Sequence, residues 1–408
     1  MPVVHPFNAL RPKSEYASAV AALPYDVLST EEARVVAKGN PHSFLHVDKP
    51  EMDLPDNVDQ YAPEVYARAK TALDELVASG AMTQDEKPCF YIYRQTVGKR
   101  TQTGICACAQ VADYDTDTIK KHELTRTDKE NDRVKHVDTL SAHTGPIFLT
   151  YRANTAPQPR ELMQAWIDSH KPVYDFKSED GVGQTMWVVD DDAVITQLKK
   201  AFEGIEALYI ADGHHRAAAA SRVGAMRAGG ADAESGRFLS VIFPHDDLII
   251  MDYNRLLRDL NGKDAAGFLA ALGEKFDVSE SSTPVKPEQP HTFGLYLAGK
   301  WYSAKYKLPA PADVVERLAV AVLQNEVLAP LLGIQNPQTD KRIDFVGGIR
   351  GTSELEQRVN SGEMALAFTV CPTTLTELMD VSDAGRIMPP KSTWFEPKLR
   401  SGLLIHKF

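Results

Sequence analysis

The 408-residue sequence contains only four cysteines, which follow no metal-binding or disulfide spacing. Cys106 and Cys108 are two residues apart in a strand-like stretch, so their side chains share one face and are expected to be packing residues. Sparse cysteines without a pattern are typical of proteins from a reducing compartment. The sequence therefore predicts a cytoplasmic protein without structural zinc.

Long apolar runs and a surplus of positive charge are also missing. No apolar stretch approaches the roughly 18 residues that a membrane-spanning helix needs, and residues 1–13 lack the pattern of a secretion signal. The formal net charge is −11, whereas covering nucleic-acid phosphates takes an excess of Lys and Arg on one face. We therefore expect neither a membrane nor a nucleic acid as partner. An acidic chain can still build a local anion site from a helix end and a few basic side chains.

The distribution of apolar residues indicates a folded protein of mixed α/β or α+β class, long enough for two or three packed units. We divide it into an N-terminal extension (1–84), a core (85–250) and a C-terminal α/β segment (251–408). Ser29 and Glu32 have the spacing of a capping box. Helices are predicted at 31–38, 62–79, 128–142, 193–202 and 312–328. Strands are predicted at 89–95, 103–114, 146–151, 184–189, 207–211, 292–297, 301–306 and 365–370.

The segment 210–216, Ile-Ala-Asp-Gly-His-His-Arg, has the features of a phosphate-binding turn between a strand and a helix. Gly213 has no Cβ and lets the backbone approach a ligand closely. The first turn of the following helix offers free N–H groups and the positive end of the helix dipole. His214, His215 and Arg216 add side-chain donors, and an Arg can bind a phosphate through two hydrogen bonds. The segment therefore predicts a phosphate site.

An ordinary explanation of this turn stays open, in which Asp212 caps the helix and the histidines are surface residues. The apolar strand before the turn, the glycine within it and the alanines at 217–220 together favour the phosphate site. Two other phosphate motifs fail. Gly294–Lys300 matches the pattern of a P-loop, but Trp301 stands where Ser or Thr must hold the metal. Gly181–Gly183 lacks the third glycine of a dinucleotide-binding fingerprint.

A second polar segment, His122-Glu123, follows a predicted strand, where catalytic groups are common. It has the first residues of a zinc-protease motif, but Arg126 stands where the second histidine belongs, which excludes that motif. A carboxylate beside an imidazole remains, and we favour Glu123 as a general base. The next helix carries four polar residues on one face by their spacing: Lys129, Asp132, Arg133 and His136. A solvated, salt-bridged surface and a functional site both stay open for that face.

These segments together resemble a bacterial and archaeal family of largely unassigned function that includes the ADP-dependent free serine kinase. The turn at 212–216 is similar to the signature box of the ParB/sulfiredoxin superfamily. Lys121-His122-Glu123 resembles the K-P-H-E segment of the kinase, whose glutamate is the catalytic base. The tail also resembles that of the kinase, at 362–363, 368, 385 and 390–393. The bacterial pattern fits nearly the whole chain and includes further segments: 6–7, 24–27, 129–133 and 388–395.

Three departures from these relatives bear on function. Sulfiredoxin has its catalytic cysteine in the signature box, but this sequence has His214 there, so sulfiredoxin chemistry is not expected. ParB proteins add a helix-turn-helix domain, which we do not identify here. The serine kinase lacks an equivalent of residues 1–84. This chain also has more residues between Glu123 and Asp212 than the kinase has between the matching positions. These insertions affect the expected acceptor pocket more than the nucleotide site.

The resemblance implies a ParB/sulfiredoxin-like mixed-sheet, nucleotide-binding core with added N-terminal and C-terminal α/β segments. It implies transfer of a phosphoryl group from ADP or ATP to the hydroxyl of L-serine, with Mg²⁺ held by the phosphates and without a protein metal ligand. Glu123 would be the base, His122 would orient it, and Asp212 would orient the metal or a histidine. The phosphates would be bound by Gly213, His214, His215 and Arg216.

The resemblance also implies contributions from residues far from the turn. The tail at about 385–395 would return to the active site, where Lys391, Ser392 and Thr393 would contact donor phosphates or the amino-acid carboxylate. Secondary candidates are Thr125, Lys129 and Arg133. The alternative function is a ParB-like nucleotide sensor without catalysis, since such domains use a bound nucleotide as a switch. The sequence leaves ADP or ATP, the acceptor and the oligomeric state open.

Overall fold

The computed structural model describes residues 1–227, 230 and 233–408. These residues form two compact units: unit 1 comprises 1–248 and 397–408, and unit 2 comprises 249–396. The predicted three segments differ from these units in two respects. The N-terminal extension belongs to the same unit as the predicted core, and the final residues of the chain return to that unit. Within the described part, no helix is long and apolar enough to cross a membrane.

The helices are described here in chain order, leaving out short 3₁₀ turns. The N-terminal half contains α1 (Ala17–Val20), α2 (Thr30–Ala37), α3 (Leu45–Asp48), α4 (Pro63–Ala78), α5 (Val111–Asp115), α6 (Thr127–Leu140), α7 (Gln158–Ser169), α8 (Asp192–Glu203) and α9 (His214–Met226). Unit 2 contains α10 (Ala265–Gly273), α11 (Ala319–Leu323), α12 (Gly351–Asn360) and α13 (Leu375–Asp383).

The strands follow the same convention. The first twelve are β1 (Val4–His5), β2 (Leu10–Pro12), β3 (Met82–Gln84), β4 (Phe90–Val97), β5 (Arg100–Gln110), β6 (Ile119–Lys120), β7 (Ala142–His143), β8 (Ile147–Tyr151), β9 (Tyr174–Lys177), β10 (Gly183–Val189), β11 (Leu208–Asp212) and β12 (Arg237–Pro244). The remainder are β13 (Tyr253–Leu257), β14 (Phe276–Ser281), β15 (Thr292–Leu297), β16 (Lys300–Tyr306), β17 (Ile343–Gly347), β18 (Leu366–Val370) and β19 (His406–Lys407).

Unit 1 is built around a nine-stranded sheet in the order β6-β11-β8-β12-β5-β4-β10-β9, with β1 beside β5. The pairs β6/β11 and β8/β12 are parallel and the other pairs of this sheet are antiparallel. The predicted mixed α/β class is therefore confirmed. The predicted hairpin forms as β4 and β5, and Cys106 and Cys108 are fully buried on β5, as expected of packing residues.

The N-terminal segment covers one side of unit 1 with its own apolar cluster. Helix α2 begins with the predicted capping box, in which the Glu32 N–H donates to Ser29 Oγ (3.2 Å) and the Ser29 N–H donates to Glu32 Oε2 (2.8 Å). Leu140, Ala142 and Ile405 join the same cluster from later parts of the chain. The N-terminal segment is therefore integral to unit 1, because its apolar side chains are buried against the end of α6 and the C-terminal residues.

Unit 2 contains a six-stranded antiparallel sheet in the order β14-β16-β15-β18-β13-β17. The predicted strand pair forms as β15 and β16. The predicted helix at 312–328 is wrong in its first half: α11 begins at Ala319 and continues as a π-helical turn, Gln324–Leu328. The Asp313 carboxylate accepts hydrogen bonds from the N–H groups of Val315 and Glu316, but Leu318 is extended (φ −62°, ψ 139°) and interrupts the helix directly before Ala319.

Candidate functional site

The two polar segments singled out in the sequence meet because β6 and β11 are parallel neighbours. Ile119 pairs with Leu208 and Lys120 pairs with Tyr209, so both strands end at the same edge of the sheet. His122 and Glu123 follow the end of β6, and Asp212 is the last residue of β11. Side chains that follow parallel strands in this way commonly form binding sites.

The turn after β11 has the backbone that only glycine adopts without strain. Gly213 has φ +97° and directly precedes α9, and no side chain caps the first turn of that helix. A Cβ at this position would lie 3.1 Å from Nε of Arg216. Gly213 therefore provides both the left-handed turn and the space in which the Arg216 guanidinium folds back across it. The uncapped first turn leaves backbone N–H groups for an anion.

The backbone before β8 anchors Arg216. Strand β8 runs antiparallel to β11, so Gly145 and Pro146 lie at the same edge as the turn. The Arg216 Nη1 group donates to the Pro146 carbonyl, and a Cβ at Gly145 would lie 3.4 Å from this nitrogen. The cation is therefore held beside the turn by backbone contacts, which reduces the side-chain entropy that binding a phosphate would cost.

Lys398 was missed by sequence reasoning, and it lies next to Asp212. Its Nζ is 3.3 Å from Asp212 Oδ2, while Asp212 Oδ1 accepts from the Gly213 N–H at 3.0 Å. Burial raises the pKa of Asp212, but the charges of Lys398 and Arg216 outweigh it and lower this pKa to about 2. Asp212 is therefore ionised at neutral pH and keeps two cations at the turn. Only the return of residues 397–408 to unit 1 reveals this pair.

His122, Glu123 and His214 form a compact group that we call the edge cluster. The His122 and His214 rings meet edge to face with centroids 4.5 Å apart, and Nδ1 of His214 lies 3.9 Å from Oε2 of Glu123. Burial lowers the pKa of His122 to about 4 and that of His214 well below its ordinary value. Both imidazoles are therefore neutral at pH 7, whereas the Glu123 side chain is 49% exposed and open to solvent.

His215 and Thr125 hold the start of α6 against α9. The Arg126 N–H donates to Nε2 of His215 at 3.0 Å, and Thr125 Oγ1 donates to Oε2 of Glu130 at 2.8 Å. Glu130 in turn binds Arg222 of α9 at 2.9 Å. In this conformation both side chains serve packing between the helices, and their predicted contacts with a ligand stay predictions.

The polar face of α6 is buried against the N-terminal segment, so the solvated-surface alternative is wrong for most of it. Arg133 binds Asp132 at 2.7 Å and lies over the Tyr25 ring, 3.8 Å from its centroid. Tyr66 donates to Asp132 at 2.9 Å. Lys129 and Arg133 line a cavity of about 230 Å³ that contains both acidic and basic groups. The cavity lies between α6 and the N-terminal segment, which the serine kinase was expected to lack.

The predicted tail residues lie in unit 2, where each has local contacts. Nζ of Lys391 lies 5.3 Å from the centroid of the Tyr253 ring. Ser392 is buried, donates to the Pro389 carbonyl at 2.6 Å, and accepts from Thr373 at its own carbonyl. Thr393 follows and is half-buried. A role for these residues in binding a nucleotide stays a prediction.

Comparison with known proteins identifies the family. The family described as "Protein of unknown function (DUF1015)" matches residues 4–324, which is most of the chain. The protein therefore belongs to the DUF1015 family. No curated protein matches the chain.

Several solved structures share a distant likeness with the chain. A free serine kinase variant in complex with AMP is 16% identical, with a TM-score of 0.37 and coverage of 71% of this chain and 89% of that chain. A conserved hypothetical protein from Pyrococcus furiosus is 17% identical, with a TM-score of 0.34 and coverage of 71% and 91%. SbnI with a C-terminal truncation from Staphylococcus aureus is 10% identical, with a TM-score of 0.38 and coverage of 74% and 87%.

Proposed function

We propose that this member of the DUF1015 family is a nucleotide-dependent phosphotransferase that acts on a small hydroxyl compound, with L-serine as the favoured acceptor. The observation that carries the proposal is the placement of Glu123. Its half-exposed carboxylate lies beside His214, the first residue of α9, at the edge where the uncapped turn offers N–H groups. A base next to a phosphate-binding turn is the minimum that hydroxyl phosphorylation requires.

The turn supplies the phosphate site in this proposal. The N–H groups at the start of α9 and the helix dipole favour the terminal phosphates of ADP or ATP. Arg216 and Lys398 add two cations close to the turn, and Asp212 keeps Lys398 in place at 3.3 Å. Phosphoryl transfer depends mainly on such positioning and charge neutralisation. The sequence resemblance to the serine kinase family supports a nucleotide as the ligand and a ParB/sulfiredoxin-like description of the core.

Magnesium fits this site through the nucleotide. Mg²⁺ prefers oxygen ligands and retains several waters, and the carboxylates available here are Glu123 and Asp212. When bound with the phosphates, the ion would neutralise charge on the transferring group. The protein residues would position the nucleotide and the acceptor around it.

The proposed step transfers one phosphoryl group. The hydroxyl oxygen of the acceptor forms a bond to the terminal phosphorus, and the bond from that phosphorus to the bridging oxygen of the nucleotide breaks. The hydroxyl proton passes to Glu123, and AMP leaves from ADP or ADP leaves from ATP. General-base catalysis of this kind contributes roughly 10²–10⁴-fold to the rate. His122, neutral and buried beside Glu123, excludes water from one side of the carboxylate.

The test is direct. Purified protein is mixed with ADP or ATP, Mg²⁺ and a panel of hydroxyl compounds that includes L-serine, and phosphorus NMR follows the products. We expect O-phosphoserine from wild-type protein and from Glu203→Gln, a control at an exposed carboxylate at the end of α8. Loss of product in Glu123→Gln with retained nucleotide binding would support the assignment of the base.

Two outcomes would contradict the proposal. Full activity in Glu123→Gln would remove the base from the mechanism. Nucleotide binding without product from any hydroxyl acceptor would instead support the non-enzymatic sensor, and a nucleotide-dependent change in oligomeric state or partner binding would then be sought.

A further inference from the structure

The edge cluster contains buried imidazole nitrogens that lack the partners such atoms normally have. Among the described residues, Nε2 of His214 has no hydrogen-bond partner, and the His122 ring has none of good geometry, although the Ile210 backbone acts on that ring. The two histidines are only 2% and 5% exposed, so water does not satisfy them freely. Buried polar atoms in native proteins are nearly always paired, and an unpaired one costs about 1–3 kcal/mol. Unsatisfied buried ring nitrogens of two neighbouring histidines therefore indicate a missing ligand.

The geometry of the same residues identifies what the ligand is. One ligand atom from each of His122, Glu123 and His214 lies within 4.8 Å of those of the other two. In a filled site with metal–ligand bonds of about 2.0–2.2 Å, the ligand atoms lie roughly 3.0–3.5 Å apart. Small side-chain rotations close that difference, and the Glu123 side chain, which is 49% exposed, lies at the mouth of the cluster.

We propose that His122, Glu123 and His214 bind one divalent first-row transition metal ion, such as Zn²⁺ or Mn²⁺. Two imidazoles and one carboxylate form a donor set that selects such ions over Mg²⁺ or Ca²⁺, which prefer oxygen ligands. Three protein ligands leave coordination positions for water or a phosphate oxygen, as in catalytic metal sites, and Glu123 would bind the ion through one oxygen, which leaves the other to accept a proton. These positions would face solvent, on the side of the cluster where the Glu123 carboxylate lies.

No local sequence motif reveals this metal site. The histidine expected four residues after His122 is absent, because Arg126 stands in that position. The second histidine comes instead from the turn after β11, which the parallel pairing of β6 and β11 brings to the same edge. The sequence predicts no protein metal ligand, and the proposed site depends on residues that are distant in the chain.

The experiment measures metal binding without nucleotide. Full-length protein is stripped with a chelator and titrated with Co²⁺, Zn²⁺, Mn²⁺ and Mg²⁺, with calorimetry for all four ions and visible absorption for Co²⁺. We expect one transition ion per chain and much weaker Mg²⁺ binding. Glu123→Gln and His214→Gln should each weaken Co²⁺ binding on the order of 100-fold or more, beyond the 10–100-fold typical of residues that only orient ligands.

His143→Gln is the matched control, because His143 is also a buried histidine of unit 1 but lies outside the cluster. It should bind Co²⁺ as wild type does. Circular dichroism confirms folding, and Glu123→Gln, at a half-exposed position, provides the variant least able to disturb the core. Wild-type protein that binds no transition ion, or cluster variants that bind it as tightly as wild type, would overturn the proposal.

The proposed metal site and the proposed phosphotransferase activity can be rejected independently of each other. Stoichiometric metal binding without phosphoryl transfer to any hydroxyl compound would reject the proposed function and leave the metal site in place. Phosphoryl transfer with Mg²⁺ by protein that binds no Co²⁺ or Zn²⁺ would do the reverse.

Discussion

Unit 1 contains two groups in which a pair of buried histidines meets a glutamate, and they differ in how the polar atoms are used. In the edge cluster the rings meet at 88°, and Glu123 lies 3.9 Å from the nearest imidazole nitrogen. In the second group, His143 and His406 stack at 9° with centroids 5.8 Å apart, and His406 Nε2 binds Oε2 of Glu234 at 2.7 Å. We call this second group the C-terminal histidine pair.

The difference separates a structural contact from a ligand site. In the C-terminal histidine pair, the hydrogen bond to Glu234 and the rings of Phe7 and Phe408 hold β19 against β7, and Nδ1 of His406 has no partner among the described residues. In the edge cluster, ring nitrogens of both histidines lack a hydrogen-bond partner of good geometry, and Oε2 of Glu123 lies 3.9 Å from Nδ1 of His214. A buried histidine thus indicates function only when its polar atoms are not already used by the fold.

The largest expected effect tests the two glutamates against each other. Glu123→Gln should lower kcat for phosphoryl transfer by roughly 10²–10⁴-fold, because the amide cannot accept the hydroxyl proton. Glu234→Gln should leave kcat within about twofold of wild type, since the contacts of Glu234 are with His406 and Arg237, outside the candidate site. Initial rates at saturating substrate measure both. Equal losses in the two variants would break the comparison.

The next effect concerns the turn itself. Gly213→Ala should lower the free energy of unfolding by about 1–3 kcal/mol, because alanine is strained at a positive φ and its Cβ would crowd Arg216. Gly80→Ala is the matched control: Gly80 has φ +78° but no heavy atom within 4 Å of an added Cβ. Gly80→Ala should lower the free energy of unfolding by about 1–2 kcal/mol, from the left-handed backbone alone. Urea unfolding with both variants separates backbone strain from the crowding of Arg216.

A smaller effect tests the Asp212–Lys398 pair. Lys398→Met should lower the free energy of unfolding by about 1 kcal/mol, a value reduced because Asp212 is about a third exposed and solvent screens the pair. The pKa of Asp212 is lowered from 3.8 to about 2. The ionised carboxylate therefore stabilises the fold fully above pH 3.8, and this contribution is lost as the pH falls through 2. The difference between wild type and variant should therefore vanish over that interval. A difference that grows on acidification would contradict the pairing.

The smallest effect tests the C-terminal histidine pair. The hydrogen bond from His406 lowers the pKa of Glu234, so this bond stabilises the fold above the ordinary value of 4.5 and is lost at lower pH. Glu234→Gln should cost about 0.5–1 kcal/mol at neutral pH. It should leave Co²⁺ binding unchanged. Reduced metal binding in this variant would show that the two histidine groups are not independent.

Local patterns predicted much of the fold where the signal lay within a few residues. The capping box at Ser29, the hairpin of β4 and β5 and the strand–turn–helix at 208–226 are examples, since each depends on hydrogen bonds or periodicity within a short segment. The prediction of a helix at 312–328 failed in its first half because Leu318 has an extended backbone and interrupts the helix before Ala319. For the polar face of α6 the sequence left a solvated surface and a functional site open, and only the packing of the N-terminal segment shows that Asp132 and Arg133 are buried.

The sequence by itself determined the conformation of the turn at Gly213, because a glycine between an apolar strand and an alanine-rich helix leaves few other choices. It also supplied the residue types for acid–base chemistry and phosphate binding. Only the tertiary structure decided which of them meet. The parallel pairing of β6 with β11 brings Glu123 to His214, and the return of residues 397–408 brings Lys398 to Asp212. Strand register and chain return are set by burial of the whole sheet, and no local pattern encodes them.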